Sequence, residues 1–294
     1  MAIGRFEYQA PGSLQEALSL LDRNKGRTSI LAGGTDLIVQ MKNGQTCPAI
    51  IVDVKRIPEL NRLEWSEGEG LHIGAAICLS KLMRFFPVIE KFDILAQACA
   101  AIGSLQIRNR ATLGGNLCNA APSADTPPPL LCLGAKAVVS SRKGNRTIPM
   151  EHFFLAPGQT ALDPNELLVE IEIPTPLVSS AGCYLRHGPR EEMDIAVAGV
   201  ASFLVLSPQG KTLQDARIAL GAVAPTPIRA RQAETLLIGK VPTLETIEEA
   251  AKQAAEATHP ISDVRGSAEY RRELIKVLVG KTIKRACEAL KIVI

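Results

Sequence analysis

Two glycine doublets are the residues of this 294-residue chain best suited to chemistry. One stands in Ala32-Gly33-Gly34-Thr35-Asp36, the other in Ala111-Thr112-Leu113-Gly114-Gly115-Asn116. Two neighbouring residues without Cβ let successive amides turn outward unhindered, which suits a pyrophosphate. Each doublet has a hydroxyl or amide beside it: Thr35 and Asp36 in the first, Thr112 and Asn116 in the second. Taken alone, the first is equally an ordinary tight turn whose Thr35-Asp36 caps a helix. Taken together, the two predict a dinucleotide held from two sides, one phosphate resting on the amides of Gly33 to Asp36.

The stretch from Ala100 to Pro129 is polar and glycine-rich within an otherwise apolar region, with Gly103, Asn109, Asn119, Ser123 and Asp125 beside the second doublet. Such a run either lines a ligand or forms a long surface loop, and the absence of Lys and Glu from it favours the ligand. A carboxylate such as Asp125 accepts from two neighbouring hydroxyls, as a ribose presents them. Further on, Tyr184 to Ala196 mixes Arg186, His187 and Arg190 with Glu191, Glu192 and Asp194, either as a solvated hairpin rim or as part of a site. Gly68-Glu69-Gly70 with Gly74 misses the Rossmann glycine spacing by one residue and falls in a predicted hairpin, so a nicotinamide-binding Rossmann domain is not expected. No Ser-His-Asp order and no carboxylate pair for acid–base work stands out.

Composition narrows the classes. At 46% apolar residues the chain can bury a substantial core in two or three compact units. A formal charge of +3 without dense basic runs argues against nucleic acid. No stretch approaches the roughly 20 apolar residues of a membrane span, and Met1 to Phe6 lacks the apolar core of a secretion signal. Seven scattered cysteines, at 47, 78, 99, 118, 132, 183 and 287, read as reduced thiols of a cytoplasmic protein. With no Cys-x-x-Cys and four dispersed histidines, no zinc or iron–sulfur cluster of its own is expected.

The elements that must position these residues follow from periodicity. Phe6 to Tyr8, Ser29 to Ala32 and Ile50 to Asp53 read as strands, with helices after the capping box Ser13-Leu14-Gln15-Glu16 and over Thr35 to Met41. Leu60 to Trp65 and Leu71 to Gly74 form a hairpin, a helix runs from Val88 to Ile102, and Pro127-Pro128-Pro129 opens another through Leu133. Strands are expected at Ala135 to Ser140, Arg146 to Pro149 and Leu167 to Ile173. Beyond Pro174-Thr175-Pro176 come three strands, Gly182 to Arg186, Ile195 to Leu206 and Ala216 to Gly221. Helices follow at Ala230 to Leu237, Leu244 to Ala257 and Ser267 to Ala289, the last with Tyr270, Leu274, Val277 and Leu278 on one side. Strands first and helices afterward mean an α+β domain.

These segments together resemble the flavoprotein (medium) subunit of the molybdenum hydroxylases, the family of carbon monoxide dehydrogenase and bacterial xanthine dehydrogenase. Ala32-Gly33-Gly34-Thr35-Asp36-Leu37 is similar to its first FAD loop. Gln106-Ile107-Arg108-Asn109-x-Ala111-Thr112-Leu113-Gly114-Gly115-Asn116, with Pro122-Ser123-x-Asp125, is similar to its second. Arg190-x-x-x-Asp194-Ile195-Ala196 is similar to the flavin-proximal turn of its C-terminal domain. The resemblance implies an α+β fold: a two-lobed FAD-binding domain of the molybdenum hydroxylase type (lobes 1–57 and 58–176, the cofactor between them), then a domain over 177–294 with a three-stranded antiparallel sheet and a helical bundle. It places Ile30, Leu31, Ala32, Gly33, Gly34, Thr35, Asp36 and Leu37, with Thr112, Leu113, Gly114, Gly115 and Asn116, around the pyrophosphate. Asn119, Asp125 and Val169 fall where relatives approach the dinucleotide, Arg186 where they place a base near the flavin, and Ile195 where a side chain lies against the isoalloxazine. Some relatives carry an aromatic at Ile195 or Ile102, and both are aliphatic here. Others insert a cysteine-rich loop for an extra four-iron cluster, absent between Asn119 and Leu131.

The expected function is therefore an FAD-carrying electron-transfer subunit. An iron–sulfur partner with two 2Fe-2S clusters would deliver electrons, a molybdenum-cofactor partner would hydroxylate the substrate, and NAD or a quinone would be the acceptor. A stand-alone flavin dehydrogenase or oxidase, and an FAD-free assembly protein on the same fold, are the alternatives.

Overall fold

The computed structural model of the chain describes residues 3–190 and 192–294. Met1 and Ala2, read above for a secretion signal, and Glu191 of the charged run lie outside the described residues. The chain divides into two compact units. The first comprises Met1–Leu82, Ser104–Asn119 and Ala135–Thr175; the second comprises Met83–Gly103, Ala120–Gly134 and Pro176–Ile294.

The chain begins with β1 (Glu7–Gln9), α1 (Leu14–Arg23), β2 (Thr28–Leu31), α2 (Leu37–Lys42) and β3 (Ile50–Asp53), the alternation read from sequence. The strands pair in parallel in the order β1-β3-β2, so each connection needs a crossover and the two helices supply them. Ser13 caps α1 by accepting the Glu16 amide at 3.3 Å, while the Glu16 carboxylate takes the Gly12 amide at 2.9 Å.

Next come β4 (Leu63–Ser66) and β5 (Gly70–Gly74), joined by a turn that ends on Gly70 in the left-handed region, φ +88°. Leu60 and Asn61, expected as the start of a strand, belong to a 3-10 turn, Glu59–Asn61, after Pro58. A short α3 (Leu79–Leu82) follows. The single helix expected from Val88 to Ile102 is two, α4 (Phe86–Lys91) and α5 (Asp93–Ala101), broken where Phe92 leaves helical geometry and buries its ring. Then come α6 (Leu105–Arg108), α7 (Leu113–Asn119) and α8 (Pro127–Cys132), followed by β6 (Lys136–Ser141) and β7 (Gly144–Pro149). A small hairpin not expected from sequence, β8 (Phe154–Ala156) with β9 (Gln159–Thr160), precedes β10 (Leu167–Ile173). Within the first unit these strands build an antiparallel sheet in the order β4-β5-β10-β6-β7.

The second unit centres on β11 (Ser180–His187), β12 (Ala198–Leu206) and β13 (Leu213–Gly221). A two-residue strand, β14 (Ile228–Arg229), makes the expected three-stranded antiparallel sheet four-stranded. Then follow α9 (Arg231–Leu237), α10 (Leu244–Glu256) and α11 (Ala268–Ala289). Val200, Leu204, Ile218 and Leu220 pack with Ala250, Ala254, Ile275 and Ile283 in one apolar core. The opposite face is covered as well: α5 brings Ile94 within 2.8 Å of where a Cβ on Gly182 would lie, and α8 brings Pro128 within 3.0 Å of the corresponding point on Gly221. That two-sided cover explains why β12 is buried along nearly its whole length.

The buried face of α11 differs from the expected one. Leu278 is buried and Leu274 packs against the core as expected, but Tyr270 and Val277 are 45% and 50% exposed, and the helix also buries Arg271, Ile275, Val279, Thr282, Ile283 and Ala286. Two of these are polar and bond inside: Arg271 donates from Nη1 to the carbonyls of Val197 (2.7 Å) and Ala222 (3.1 Å), leaving its Nε buried without a partner, and Thr282 bonds Ser202 at 2.7 Å. Apolar periodicity misplaces a face whose buried members include hydrogen-bonded polar side chains.

In the first unit, Arg146 of β7 clamps the segment leading into β10, with Nε on Glu166 Oε1 at 2.7 Å and Nη2 on Oε2 at 2.6 Å. Pairing with Arg146, with a further bond from the Asp163 amide, holds the Glu166 carboxyl below its ordinary range. A depressed native pKa stabilises the fold above the unfolded value, and that stability is lost as pH falls through the native value. Arg146→Ala is expected to cost about 1 kcal/mol at pH 7, reduced by the half-exposed guanidinium. The difference from the parent should be full above the ordinary carboxylate pKa and shrink as pH falls through the depressed native value, as urea unfolding at a series of pH values from 7 downward will show.

Candidate functional site

The first doublet lies where β2 ends. Gly34 has φ +78°, a left-handed conformation that side-chain-bearing residues rarely adopt. Its neighbour Gly33 is required for a different reason: a Cβ there would lie 2.3 Å from the Arg110 carbonyl oxygen and 2.8 Å from Ala111 Cα. The amides of Gly33, Gly34, Thr35, Asp36 and Leu37 have no protein acceptor among the described residues, although most of this loop is half-buried. Five consecutive donors without a protein acceptor, around a left-handed glycine, are the kind of main-chain group that anion-binding nests are made of. Ile30 and Leu31 enter it from β2, paired with Val52 and Asp53.

The second doublet is brought to the first, in a different manner from the one expected. Because Gly33 sits on Arg110-Ala111, the segment entering Thr112 touches the first loop main chain to main chain. Farther along, Asn119 donates to Asp36 Oδ1 at 3.4 Å and accepts from Gln40 at 3.2 Å. The expected bend of outward-facing amides is instead the first turn of α7. Leu113 donates to Ile77 O (3.1 Å), Gly114 to Ala75 O (3.0 Å), Gly115 to the Thr112 hydroxyl (3.0 Å) and Asn116 to Thr112 O (3.0 Å). Thr112, 3% exposed, is thus a helix cap. Gly114 is needed for packing, since a Cβ there would lie 2.6 Å from Ala75 Cβ. Val169, the bulged residue of β10, accepts from the amide of that same Ala75 at 2.8 Å, which ties it to the α7 turn.

The other sequence-predicted residues, Ile102, Asp125, Arg186 and Ile195, belong to the second unit. Asp125, 6% exposed, does not offer both oxygens freely as a ribose acceptor. Oδ1 accepts from the Tyr184 hydroxyl at 2.6 Å, and Oδ2 faces Arg186 Nη1 at 3.4 Å. Burial pushes the carboxyl up, against the opposing pull of Arg186 and the Tyr184 hydrogen bond. Arg186 Nη1 also donates to Asp194 O at 2.9 Å, while Nη2 is buried with no partner. This guanidinium lines a cleft of ≈ 430 Å³ together with Gln97, Ala101, His187 and Arg190. Ile195 closes the turn that carries Asp194 and is 48% exposed; Ile102 ends α5. Tyr184, which sequence reasoning named only as part of the charged run, enters the site because alternation along β11 puts it on the face of Arg186.

Two other groups bear on the chemistry. His72 of β5 meets Glu170 and Glu172 of β10 through strand pairing, a grouping that dispersed histidines in the sequence conceal. His72 bonds Glu170, and Arg62 lies 3.5 Å from the same carboxylate, so the cluster carries its own cation. Burial pushes the Cys99 and Cys132 thiols up to about 12, which suits packing and not nucleophilic attack.

Comparison with known proteins gives the family. Residues 4–176 match the family described as FAD binding domain in molybdopterin dehydrogenase, and residues 184–286 match the CO dehydrogenase flavoprotein C-terminal domain. The carbon monoxide dehydrogenase medium chain of Hydrogenophaga pseudoflava is 35% identical over 97% of this chain and 96% of its own. A xanthine dehydrogenase FAD-binding subunit of Escherichia coli O157:H7 is 32% identical over 96% of each. The solved carbon monoxide dehydrogenase of Hydrogenophaga pseudoflava superposes with a TM-score of 0.93 over 97% of this chain and 98% of that one. The fold and the paired glycine segments define an FAD-binding flavoprotein. The chain belongs to the flavoprotein subunits of the molybdenum hydroxylases, an oxidoreductase family whose cofactor is FAD. The donors fit that group: the five amides of the first loop suit a diphosphate, and the unpartnered Arg186 Nη2 suits an electron-rich ring. No helix among the described residues is long and apolar enough to cross a membrane.

The two glycines of the second doublet are not equivalent. Gly114→Ala collides with Ala75 backbone and is expected to cost about 1–3 kcal/mol, as overpacking does. Gly115→Ala meets no backbone, only the Thr112 hydroxyl at 2.9 Å, and costs no more than the loosening of that one cap bond. Thermal unfolding of the two variants should rank Gly114→Ala well below Gly115→Ala, and equal midpoints would contradict the packing role.

Proposed function

We propose that this chain is the FAD-carrying electron-transfer subunit of a multi-subunit molybdenum hydroxylase. When bound, FAD supplies the exchange between one-electron and two-electron chemistry. In this reading an iron–sulfur partner with two 2Fe-2S clusters delivers electrons, a molybdenum-cofactor partner oxidises the substrate, and NAD or a quinone takes the electrons away. The observation that carries it is the run of five acceptor-free amides from Gly33 to Leu37, in a chain that matches flavoprotein subunits along its whole length. A cytoplasmic location agrees with seven cysteines, none of them in a disulfide.

Each residue then has a distinct task. The Gly33 to Leu37 amides bind the diphosphate, with Ile30, Leu31 and Ala32 holding them in place. Thr112, Leu113, Gly114, Gly115 and Asn116 support that loop from α7 and present a surface free of bulky side chains. Asn119 fixes Asp36, and Val169 fixes Ala75 beneath α7. In the second unit Arg186 places a positive charge near the isoalloxazine, held by Asp125, and Ile102 and Ile195 offer apolar surface to a ring. A cation a few ångströms from charge developing on the ring stabilises it by up to about 4 kcal/mol at an effective dielectric near 20.

Gly34→Val forces a β-branched residue into the left-handed region and should yield a folded protein without FAD, whereas the parent purifies yellow with one FAD per chain. A folded Gly34→Val protein that keeps stoichiometric FAD removes the role of the first loop. Arg186→Ala should retain FAD while its midpoint potential drops by tens of millivolts, about 30 mV for each 1.4 kcal/mol of lost stabilisation in a two-electron couple. Purification from the native host should bring down an iron–sulfur and a molybdenum-cofactor chain. Substrate turnover by the isolated chain would favour the stand-alone flavin enzyme, and a colourless native preparation the FAD-free assembly protein.

A further inference from the structure

We propose that Tyr184 is a positioning residue for Arg186, acting through the carboxylate of Asp125, and that it sets how much of the Arg186 charge reaches the flavin. This rests on the reading above, in which Arg186 acts on the ring. Tyr184 and Arg186 stand two residues apart on β11 and so project from the same face. Asp125 lies before α8 and divides its oxygens between them: a short 2.6 Å bond from the Tyr184 hydroxyl and a longer 3.4 Å contact to Arg186. The hydroxyl thus takes up part of the carboxylate's negative charge. Arg186 is left incompletely neutralised, with Nη1 shared with the Asp194 carbonyl and Nη2 buried without a partner.

The sheet is shaped around this arrangement. Gly199 of β12 is paired with Arg186, and a Cβ there would stand 2.9 Å from the Tyr184 hydroxyl oxygen. Gly221 of β13 is paired in turn with Gly199, and a Cβ there would stand 3.0 Å from Pro128, three residues beyond Asp125. Two glycines in one cross-strand row next to Arg186 leave the space that the hydroxyl and the chain bearing Asp125 occupy. Burial pushes the Tyr184 hydroxyl well above its ordinary value, so it remains a donor.

Without the hydroxyl, the carboxylate has only Arg186 to satisfy it. The guanidinium should be drawn to Asp125 and its charge more fully compensated. Tyr184→Phe is therefore expected to keep one FAD per chain and an unchanged far-UV spectrum, and to lower the midpoint potential by a fraction of the Arg186→Ala shift. In an Arg186→Ala background the same substitution should add nothing. Asp125→Asn, which keeps the shape and removes the charge, should raise the potential. The measurements are spectroelectrochemical titrations of the purified full-length holoprotein with its FAD content. A parent-like potential in Tyr184→Phe or in Asp125→Asn, with Arg186→Ala shifted, overturns the inference and leaves the flavin role of Arg186 standing. An unshifted Arg186→Ala overturns both. A Tyr184→Phe shift that persists undiminished without Arg186 also overturns the inference. Should Tyr184→Phe fail to fold, the sign of the Asp125→Asn shift decides alone.

Discussion

Backbone meeting backbone at Gly33 is the constraint on which the cofactor-binding unit depends. A Cβ at that position would sit 2.3 Å from the Arg110 carbonyl oxygen, a separation that no rotamer change relieves because neither partner is a side chain. The contact joins the end of β2 to the segment that enters α7, elements nearly eighty residues apart in sequence. Once it forms, Gly34 can take its left-handed conformation and Asn119 can reach Asp36 and Gln40. The nest of donors is therefore a product of tertiary packing and not a local motif. A Gly-Gly pair in an isolated peptide would sample many conformations and hold an anion poorly.

The two doublets divide the work that their similar sequences suggest they share. Donors at the first are unspent, while those at the second are consumed by Ala75, Ile77 and Thr112. Glycine serves an electrostatic purpose at Gly34 and a steric one at Gly114. An amide already bonded to a buried carbonyl has little left to offer an anion, and breaking that bond would leave the carbonyl unsatisfied. The main-chain donors still open to an anion are thus concentrated in the first loop.

Much of this was legible in the sequence, for reasons particular residues make plain. The N-cap at Ser13, the hairpin turn before Leu71 and the three C-terminal helices follow local rules, and the structure contains each of them, although Glu16 returns its bond to Gly12 and not to Ser13. Family resemblance identified the FAD-binding domain because the spacing of the glycine segments is unusual in combination. The second doublet was misread as a bend because two glycines cost about 1 kcal/mol each in a helix relative to alanine. Packing against Ala75, which no local pattern announces, outweighs that cost. The inward turn of Arg271 and the split loyalties of Asp125 depend on partners far along the chain. Nor could periodicity show that residues 83–103 and 120–134 pack with the C-terminal sheet.

In the role proposed for Arg186, the second unit would hold a redox-tuning charge steady. Arg186 sits on a strand hydrogen-bonded along its whole length to β12, and its guanidinium is held by a carboxylate and a main-chain carbonyl. Side chains on strands locked by packing hold their geometry more closely than side chains on loops. A fixed cation in a site shielded from water acts on developing charge without having to reorient, so its effect on a potential is larger and less variable than that of a mobile surface lysine. Burying such a charge costs free energy unless it is paired, yet complete pairing would cancel its field. Asp125, with one oxygen engaged by Tyr184, meets both demands by compensating Arg186 enough to allow burial while leaving part of its charge uncancelled.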